Sequence, residues 1–234
     1  MKNGHLPRTS ISMLNAYSEL AAEREAQGVP ALPLTAEQTK DLTQLLENPP
    51  TDGRQFLLHL LIDRIPPGVD EAAYVKATWL SAVAQRNTIS PLVTPLEATR
   101  LLGTMVGGYN VAALIQLLNN SDEQLAECAA QGLSRTLLVY DAFNEVMDLA
   151  ASNRFAKQVV DSWAEAEWFK ARTELAESIT VSVFKVDGET NTDGLAPAAR
   201  ATTRPDIPLH ALAMLETRDP NGLNTIAKLK ENGH

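Results

Sequence analysis

Residues 94–134 read TPLEATRLLGTMVGGYNVAALIQLLNNSDEQLAECAAQGLS, and this stretch decides the fold class of the chain. Thr94, Pro95 and Glu97 supply an N-cap, a first-turn proline and a capping-box partner in the order that begins a helix. Apolar residues then recur at helical spacing, with glycines between the apolar runs. The stretch therefore predicts short α-helices that are joined by tight turns.

The same start and stop signals recur on both sides of this stretch. Ser121 with Gln124 forms a second capping box, and we expect Gly132 to end the helix that the box begins. Thr35 with Gln38 forms a further box, and the helix after it should stop at the next Asn-Pro-Pro. Capping boxes, glycine and proline thus indicate where several helices begin and end.

From Ser12 to Arg172 the sequence predicts about nine helices of roughly 10–18 residues each. A single short helix buries little apolar area, so these helices must stack as a bundle or an α-solenoid. The clearest apolar stripes are Ala72, Val75, Trp79, Leu80 and Val83 in one helix and Phe155, Val159, Trp163 and Ala166 in another.

The glycines of LLGTMVGGYN could suggest a phosphate-binding loop. Such a loop needs GxxxxGK followed by Ser or Thr, or GxGxxG after a strand. Gly103, Gly107 and Gly108 match neither spacing, and no lysine follows them. We therefore expect these glycines to form turns between helices.

Cys128 is the single cysteine of the chain. One thiol excludes an internal disulfide, and it excludes an iron–sulfur cluster held by three or four cysteines of this chain alone. The residue lies in an amphipathic helix without a basic neighbour in sequence, so we expect a small buried side chain and not a reactive thiol. The sequence predicts no cofactor, no metal site and no catalytic residue within this chain.

The hydrophobic period changes near Thr173. Ser178–Val186, SITVSVFKV, alternates as a β-strand does. A lone strand leaves its backbone groups without partners, and the rest of the chain offers no strand of similar quality. Because helices are expected near Leu209–Leu215 and Asn221–Asn232, this part predicts the truncated start of an α/β unit.

An acidic loop follows the predicted strand. Asp187, Glu189, Asn191 and Asp193 alternate in the manner of calcium ligands. An EF-hand loop needs Gly at position 6 and Glu at position 12, and neither register satisfies both requirements. We therefore expect an acidic turn in which the Asx side chains bond their own backbone.

The composition limits the partners of the chain. Its 234 residues include 29 acidic and 20 basic side chains and carry a net charge of −9, which disfavours DNA, RNA and anionic membranes. No apolar run approaches the ~20 residues of a membrane helix. The segment MKNGHLPRTSIS lacks the apolar core of a secretory signal, so we expect a cytoplasmic protein with a flexible leader at residues 1–12.

Longer strings of the sequence resemble one family. Residues 184–215, FKVDGETNTDGLAPAARATTRPDIPLHALAML, are similar to the start of the swivelling domain of bacterial aconitate hydratase B. That family consists of iron–sulfur lyases that interconvert citrate and isocitrate. The strings NPPTDGRQFLLHLLIDRIPPGVDEAAYVKA and LLGTMVGGYNVAALI resemble the same family's N-terminal helical domain. The resemblance runs from about Met13 to the last residue.

The resemblance implies a mainly α fold. A HEAT-like α–α superhelical domain at residues 13–172 would be followed, at residues 173–234, by the truncated start of an α/β swivelling domain. The family's catalytic domains, with a 4Fe-4S cluster and a catalytic base, would follow His234, so the chain alone is predicted to be inactive. The helical domain would serve assembly, through homodimer contacts or contacts with a metabolic partner enzyme.

Arg204 is the residue that we expect to bind substrate. A guanidinium presents a planar fork that matches a carboxylate, and it stays charged near neutral pH. Pro205 and Pro208 stiffen the segment behind it. By the resemblance, the arginine of the family's RPDIPLHALAML motif contacts a carboxylate of the tricarboxylate substrate. His210, which follows in the same motif, is expected to be structural.

This chain departs from the family's usual motif at a few positions. Gly194 and Arg200 stand where the family has acidic residues, Ala196 stands for Ser, and Thr202-Thr203 stands for Trp-Ser. These changes leave Arg204 in register, and they bear on how the loop packs against its neighbours.

Two other functions remain open from the sequence. The first is a free-standing helical-repeat module that binds a protein surface without catalysis. The second is a regulatory carboxylate-binding protein that uses Arg204. Size-exclusion chromatography of the isolated chain tests the first hypothesis, which a monomer at high concentration would weaken. Calorimetry with citrate tests the second, which fails if the wild type gives no heat or if Arg204→Ala gives equal heat.

Overall fold

The computed structural model of the chain describes residues 8–136, 139–140, 142–200 and 206–233. These residues form two compact units. The first unit holds the described residues up to Leu20 together with Leu32–Arg172. The second unit holds Ala21–Ala31 together with the described residues from Thr173 onward. The first helix therefore contributes its last turns to the second unit.

The first unit is helical along most of its length. Its helices are α1 (Arg8–Ala26, up to Leu20 in this unit), α2 (Ala36–Glu47), α3 (Arg54–Asp63), α4 (Glu71–Ala84), α5 (Pro95–Leu102), α6 (Val111–Leu117), α7 (Glu123–Ser134), α8 (Ala142–Ala150), α9 (Arg154–Ala164) and α10 (Glu167–Lys170). No helix among the described residues is both long enough and apolar enough to cross a membrane.

Helices of the first unit pack mainly on near neighbours in the sequence. α2 contacts α3 and α4, α4 contacts α5, α5 contacts α7, and α7 contacts α9. α6 packs on α7, and α8 packs on α9. Such a succession of neighbour contacts is how α–α layers stack. The predicted mainly α fold class is confirmed.

Leucine dominates the core of this unit, and each fully buried leucine is worth roughly 1.5–3 kcal/mol relative to an exposed one. Buried polar side chains share the core, and two of them are Asn110 and Lys76. Asn110 Nδ2 donates to the carbonyls of Leu102 at 2.8 Å and Met105 at 3.1 Å, and Lys76 is only 2% exposed. The largest buried side chains are Leu42, Leu45, Leu46, Leu57, Leu60, Leu61, Leu80, Leu102, Leu114, Leu117, Leu118 and Leu125.

Two of the predicted capping boxes are formed. Thr35 Oγ1 accepts from the Gln38 backbone N–H at 3.2 Å, and Gln38 Oε1 accepts from the Thr35 N–H at 3.0 Å. Thr94 and Glu97 make the corresponding pair of bonds at the start of α5. These predictions are confirmed because a capping box depends only on residues within one turn.

The third predicted cap is displaced by one residue. Asp122, not Ser121, is the N-cap of α7, and its Oδ1 accepts from the Gln124 N–H at 3.2 Å. The prediction that Gly132 ends this helix is also wrong, since α7 continues to Ser134. Gly132 instead faces Gly103, and a Cβ added to it would lie 2.9 Å from the Gly103 Cα. The glycine at this position therefore permits close helix packing.

The glycines of LLGTMVGGYN form the connection between α5 and α6, as predicted. Gly103 is the C-cap of α5, and Gly108 has a φ of +89°, which glycine adopts readily. A Cβ on Gly107 would lie 1.9 Å from the carbonyl oxygen of Gly68. The turn therefore needs glycine for close backbone contact.

The second unit contains short helices after a long irregular segment. Its helices after Thr173 are α11 (Thr192–Leu195), a 3-10 turn at Ala198–Arg200, α12 (Ile207–Ala211) and α13 (Gly222–Glu231). No strand occurs among the described residues, so the predicted strand Ser178–Val186 is wrong. Val181 and Val183 in this segment are 70% and 79% exposed. The alternating pattern needs a neighbouring strand, and the described part of the chain provides none.

Candidate functional site

The predicted substrate-binding residue, Arg204, falls within residues 201–205, which lie outside the described part of the chain. Its role therefore stays a prediction. The described chain resumes at Asp206, two residues further on. The geometry of the candidate site is accordingly that of the segment from Asp206 and of the residues that hold it.

α12 begins with a well-defined cap. Asp206 is its N-cap, and Asp206 Oδ1 accepts from the Leu209 N–H at 2.9 Å. Pro208 stands in the first turn, where its missing N–H costs no helical hydrogen bond. His210 lies half-buried in the same helix. The predicted stiffening by Pro208 therefore coincides with the start of a helix.

Asp206 also forms an ion pair with Arg24. Arg24 Nη1 donates to Asp206 Oδ2 at 2.7 Å, and Nη2 donates to Oδ1 at 3.2 Å. The Arg24 Nε donates to the carbonyl of Pro30 at 2.7 Å. The Arg24 side chain is 7% exposed and that of Asp206 is 26% exposed. The hydrogen bonds from Arg24 and Leu209 hold the pKa of the Asp206 carboxyl below its ordinary value.

A second arginine–carboxylate pair lies in the same unit. Arg200 Nε donates to Glu216 Oε2 at 2.9 Å, and Arg200 Nη2 donates to the other carboxylate oxygen. This hydrogen bonding raises the pKa of the Arg200 guanidinium above its ordinary value. Arg200 is one of the departures from the family motif, and its partner here shows how the loop accommodates the change of charge.

The acidic loop forms a capped turn. Asn191 Oδ1 accepts from the Gly194 N–H at 2.8 Å at the start of α11, as the Asx-turn interpretation predicts. Arg218 Nη2 donates to the carbonyl of Asp187 at 2.6 Å. No three His, Cys, Asp or Glu side chains of the described residues lie together as metal ligands would. The loop is therefore organised by its own backbone and by an arginine.

The first unit carries an open groove of about 600 Å³ beside α5, α7 and α9. Arg100, Arg135 and Arg154 line it, and Arg154 pairs with Glu123 at 2.8 Å. Cys128 also lines it, and burial raises the pKa of that thiol. A protonated, half-buried thiol is a poor nucleophile. Glu123 and Glu127 line the groove together with the three arginines.

Sequence reasoning did not identify Arg24 as part of the candidate site. The residue lies in α1, 182 positions before Asp206 in the chain. No local spacing rule relates two residues so far apart. Covariation between the two positions is the signal that could have revealed the pair.

Both parts of the chain match models of known protein families. Residues 16–169 match the model of the aconitate B N-terminal domain, and residues 181–234 match that of the aconitate hydratase 2 N-terminus. The aconitate hydratase B of Synechocystis sp. is 58% identical over 222 residues, which cover 95% of this chain and 26% of the relative.

Two further relatives carry the same name. The aconitate hydratase B of Escherichia coli is 57% identical over 205 residues, covering 87% of this chain and 24% of the relative. The aconitate hydratase B of Helicobacter pylori is 46% identical over 220 residues, which cover 94% of this chain and 26% of the relative. The chain thus spans about a quarter of the length of the curated relatives that it matches. Since the first model alone matches well over half of its residues, the chain belongs to the family defined by the aconitate B N-terminal domain.

Proposed function

We propose that this chain acts as the N-terminal part of an aconitate hydratase B-type lyase, which interconverts citrate and isocitrate through cis-aconitate in the cytoplasm. The observation that carries the proposal is the 46–58% identity to aconitate hydratase B proteins over most of the chain. Because the chain spans about a quarter of those relatives, the activity belongs to the complete enzyme. The 234 residues alone are expected to be inactive.

The family resemblance implies a 4Fe-4S cluster in the parent enzyme. Such clusters are held by several cysteine thiolates, whereas this chain has one cysteine, Cys128, whose thiol pKa is raised by burial. The donor set of this chain therefore does not fit the cluster. We assign the cluster ligands to other domains of the parent enzyme.

Within this proposal, Arg204 holds one carboxylate of the tricarboxylate substrate. Its guanidinium supplies two parallel N–H donors, so it fixes the orientation of the carboxylate as well as its position. A guanidinium stays cationic near neutral pH, so the group can hold the carboxylate throughout the reaction. Its role is to bind and orient the substrate, and proton transfer is left to groups elsewhere in the enzyme.

The test is a hybrid enzyme in which this chain replaces the homologous N-terminal quarter of the Escherichia coli relative. We expect the hybrid to convert citrate to isocitrate, and we expect Arg204→Ala to raise the KM for citrate by about tenfold or more. Arg204→Lys should recover only part of the loss, because the ammonium group lacks the fork. Lys185→Ala is the control, since its side chain is 82% exposed. If Arg204→Ala left the KM for citrate of the hybrid unchanged, the substrate role of Arg204 would be contradicted.

We also assign an assembly role to the helical unit, and two exposed apolar side chains on α8 support this. Phe143 and Met147 on α8 are 44% and 42% exposed, and the Phe143 ring stacks on Trp163 at 5.8 Å. An apolar face of this kind fits a protein contact, and we propose a second copy of the chain as its occupant. Size-exclusion chromatography should show a dimer that Phe143→Glu disrupts, and a monomer at high concentration would contradict the assignment.

A further inference from the structure

Two adjoining pockets of the first unit form one long groove, which we call the α7 groove. The first pocket, of about 600 Å³, lies beside α5, α7 and α9, and the second, of about 880 Å³, continues along α9 to α10. Gln131, Arg135 and Arg154 line both pockets. Because α5, α7 and α9 pack in succession, the groove crosses a layer of stacked helices. Stacked helical repeats use such surfaces to bind extended ligands.

Three arginines of the groove form no ion pair with the described residues. Arg100 and Arg135 are exposed, and their guanidiniums form no hydrogen bond within the described part of the chain either. Arg172 lies over the Phe169 ring at 5.7 Å. A guanidinium stays charged near neutral pH and presents a planar fork that matches a carboxylate. The groove therefore offers three forks to a ligand.

The carboxylates that line the groove, by contrast, are bonded within the chain. Glu123 pairs with Arg154 at 2.8 Å, and Glu127 Oε1 accepts from the side-chain amides of Gln131 and Gln158 at 3.0 Å each. In the second pocket the bonded pairs are Lys157–Asp161, Lys170–Glu165 and Ser162–Glu167. The charge that remains without a partner in the groove is therefore cationic, in a chain whose net charge is −9.

Stabilisation of helix ends does not fully use these arginines. Arg100 lies in the last turn of α5, and Arg135 is the C-cap of α7. A cation at either place interacts favourably with the helix dipole. That interaction acts through the charge, and it leaves the N–H donors of the guanidinium available for a ligand.

The lining of the groove favours a peptide over other anions. Nucleic acids carry closely spaced phosphates and need a dense Lys/Arg surface, whereas carboxylates lie among the arginines of this groove. Spaced Asp or Glu side chains suit separate forks better. The Oε1 atoms of Gln131 and Gln158 accept no hydrogen bond from the described residues, so they can accept from the backbone N–H groups of a peptide.

We propose that the α7 groove is a docking site for an extended acidic peptide segment of a partner protein, whose carboxylates pair with Arg100, Arg135 and Arg172. The site lies wholly within the first unit. It does not depend on Arg204 or on the proposed lyase function. It is also distinct from the α8 face that we assign to assembly, because Phe143 does not line the groove.

A peptide array tests the proposal with the 234-residue chain. Its peptides, of about a dozen residues in a Gly-Ser background, carry the same number of glutamates at different spacings. We expect retention of the chain to depend on the spacing and to be lost when glutamine replaces glutamate. The best peptide then gives a Kd by fluorescence anisotropy, which should rise with salt concentration. If no glutamate peptide retains the chain, or if spacing has no effect, the proposal is wrong.

Substitutions of the arginines locate the site. Arg135→Gln and Arg100→Gln should each raise the Kd of that peptide by about three- to tenfold. Their effects should add, since each arginine pairs with its own carboxylate. Arg54→Gln is the matched control, because Arg54 is an exposed arginine of α3 outside the groove. If Arg54→Gln weakens binding as much as Arg135→Gln, the attraction is non-specific and the site is overturned.

Glu123→Gln should have the opposite effect. It releases Arg154 from its ion pair, so we expect the Kd of the peptide to fall by about two- to threefold. Glu37→Gln removes the same charge from the first turn of α2, outside the groove, and should leave the Kd unchanged. Weaker binding by Glu123→Gln would contradict a cationic docking groove.

Two further measurements exclude other roles. If Arg100→Gln and Arg135→Gln lower the melting temperature but leave the Kd unchanged, the arginines only stabilise helix ends and the proposal fails. Competition identifies the class of ligand. If citrate or a single-stranded RNA displaces the labelled peptide more effectively than the unlabelled peptide does, the groove binds that anion and the peptide assignment is wrong.

Discussion

Gly103 and Gly132 face each other so closely that neither position has room for a side chain. A Cβ on either glycine would lie 2.9 Å from the Cα of the other. Gly103 caps α5, and Gly132 lies within α7. The contact between these two helices is therefore a contact of backbones, and it exists only because both residues are glycine.

We expect Gly132→Ala to lower the free energy of unfolding by about 2 kcal/mol. Alanine is the better helix former by about 1 kcal/mol, but its Cβ would press on the backbone of α5, which cannot move without disturbing its neighbours. Urea unfolding measures the change. The control is Gly68→Ala, because a Cβ at Gly68 has nothing within 4 Å, and this variant should be close to neutral. A stabilised Gly132→Ala protein would show that the helices separate easily.

The sequence predicted local features better than tertiary ones. The capping boxes of Thr35 and Thr94 are confirmed because their bonds join residues three positions apart. Gly132 was assigned to a helix end because glycine often stands there, whereas the contact with Gly103 decides its role. The strand predicted at Ser178–Val186 fails for a related reason, since strand formation depends on a partner that a local pattern cannot supply.

The N-cap of α7 gives a direct test of one such correction. Asp122→Ala should cost about 1 kcal/mol of unfolding free energy, because the Gln124 N–H loses its acceptor. Ser121→Ala should change it by less than about 0.5 kcal/mol. Asp122 also accepts from Arg86 at 2.8 Å, so Asp122→Asn separates the two contributions by keeping the cap and removing the charge. A larger loss for Ser121→Ala than for Asp122→Ala would restore the original prediction.

Asn110 should be among the most sensitive polar positions of the core. Its Nδ2 satisfies two buried carbonyls, those of Leu102 and Met105. We expect Asn110→Ala to lower the free energy of unfolding by about 2–4 kcal/mol, because both acceptors lose their donor and a cavity remains. Asn87→Ala, at an exposed position, is the control for chemical denaturation. A cost below about 0.5 kcal/mol would mean that water replaces the amide.

The candidate site was predictable only in part. The family resemblance is confirmed by the matched models, and the role of Arg204 stays a prediction. The Arg24–Asp206 pair could not be predicted, because its members are separated by 182 positions and each has an ordinary local context. A site assembled from distant segments depends on the tertiary fold, which residue spacing does not encode.

Lys76 gives the chain a measurable pH dependence. Burial lowers the pKa of its ammonium group from the ordinary 10.5 to about 8, and the charge of Asp63 opposes the shift. Between these two values the unfolded chain binds the proton and the folded chain does not, so the contribution of Lys76 to stability rises with pH from about 8 to about 10.5. Below pH 8 both states are charged and the full burial cost, about 3 kcal/mol, is present.

Lys76→Met should therefore stabilise the protein most at pH 7, and the advantage over the wild type should shrink as the pH rises above 8. Methionine keeps the length of the side chain and removes the buried charge. Urea unfolding at several pH values checks this, with Lys157→Met as the control because that lysine is exposed and pairs with Asp161. A constant difference between Lys76→Met and wild type from pH 7 to 10 would mean that the ammonium of Lys76 keeps its proton in the folded state.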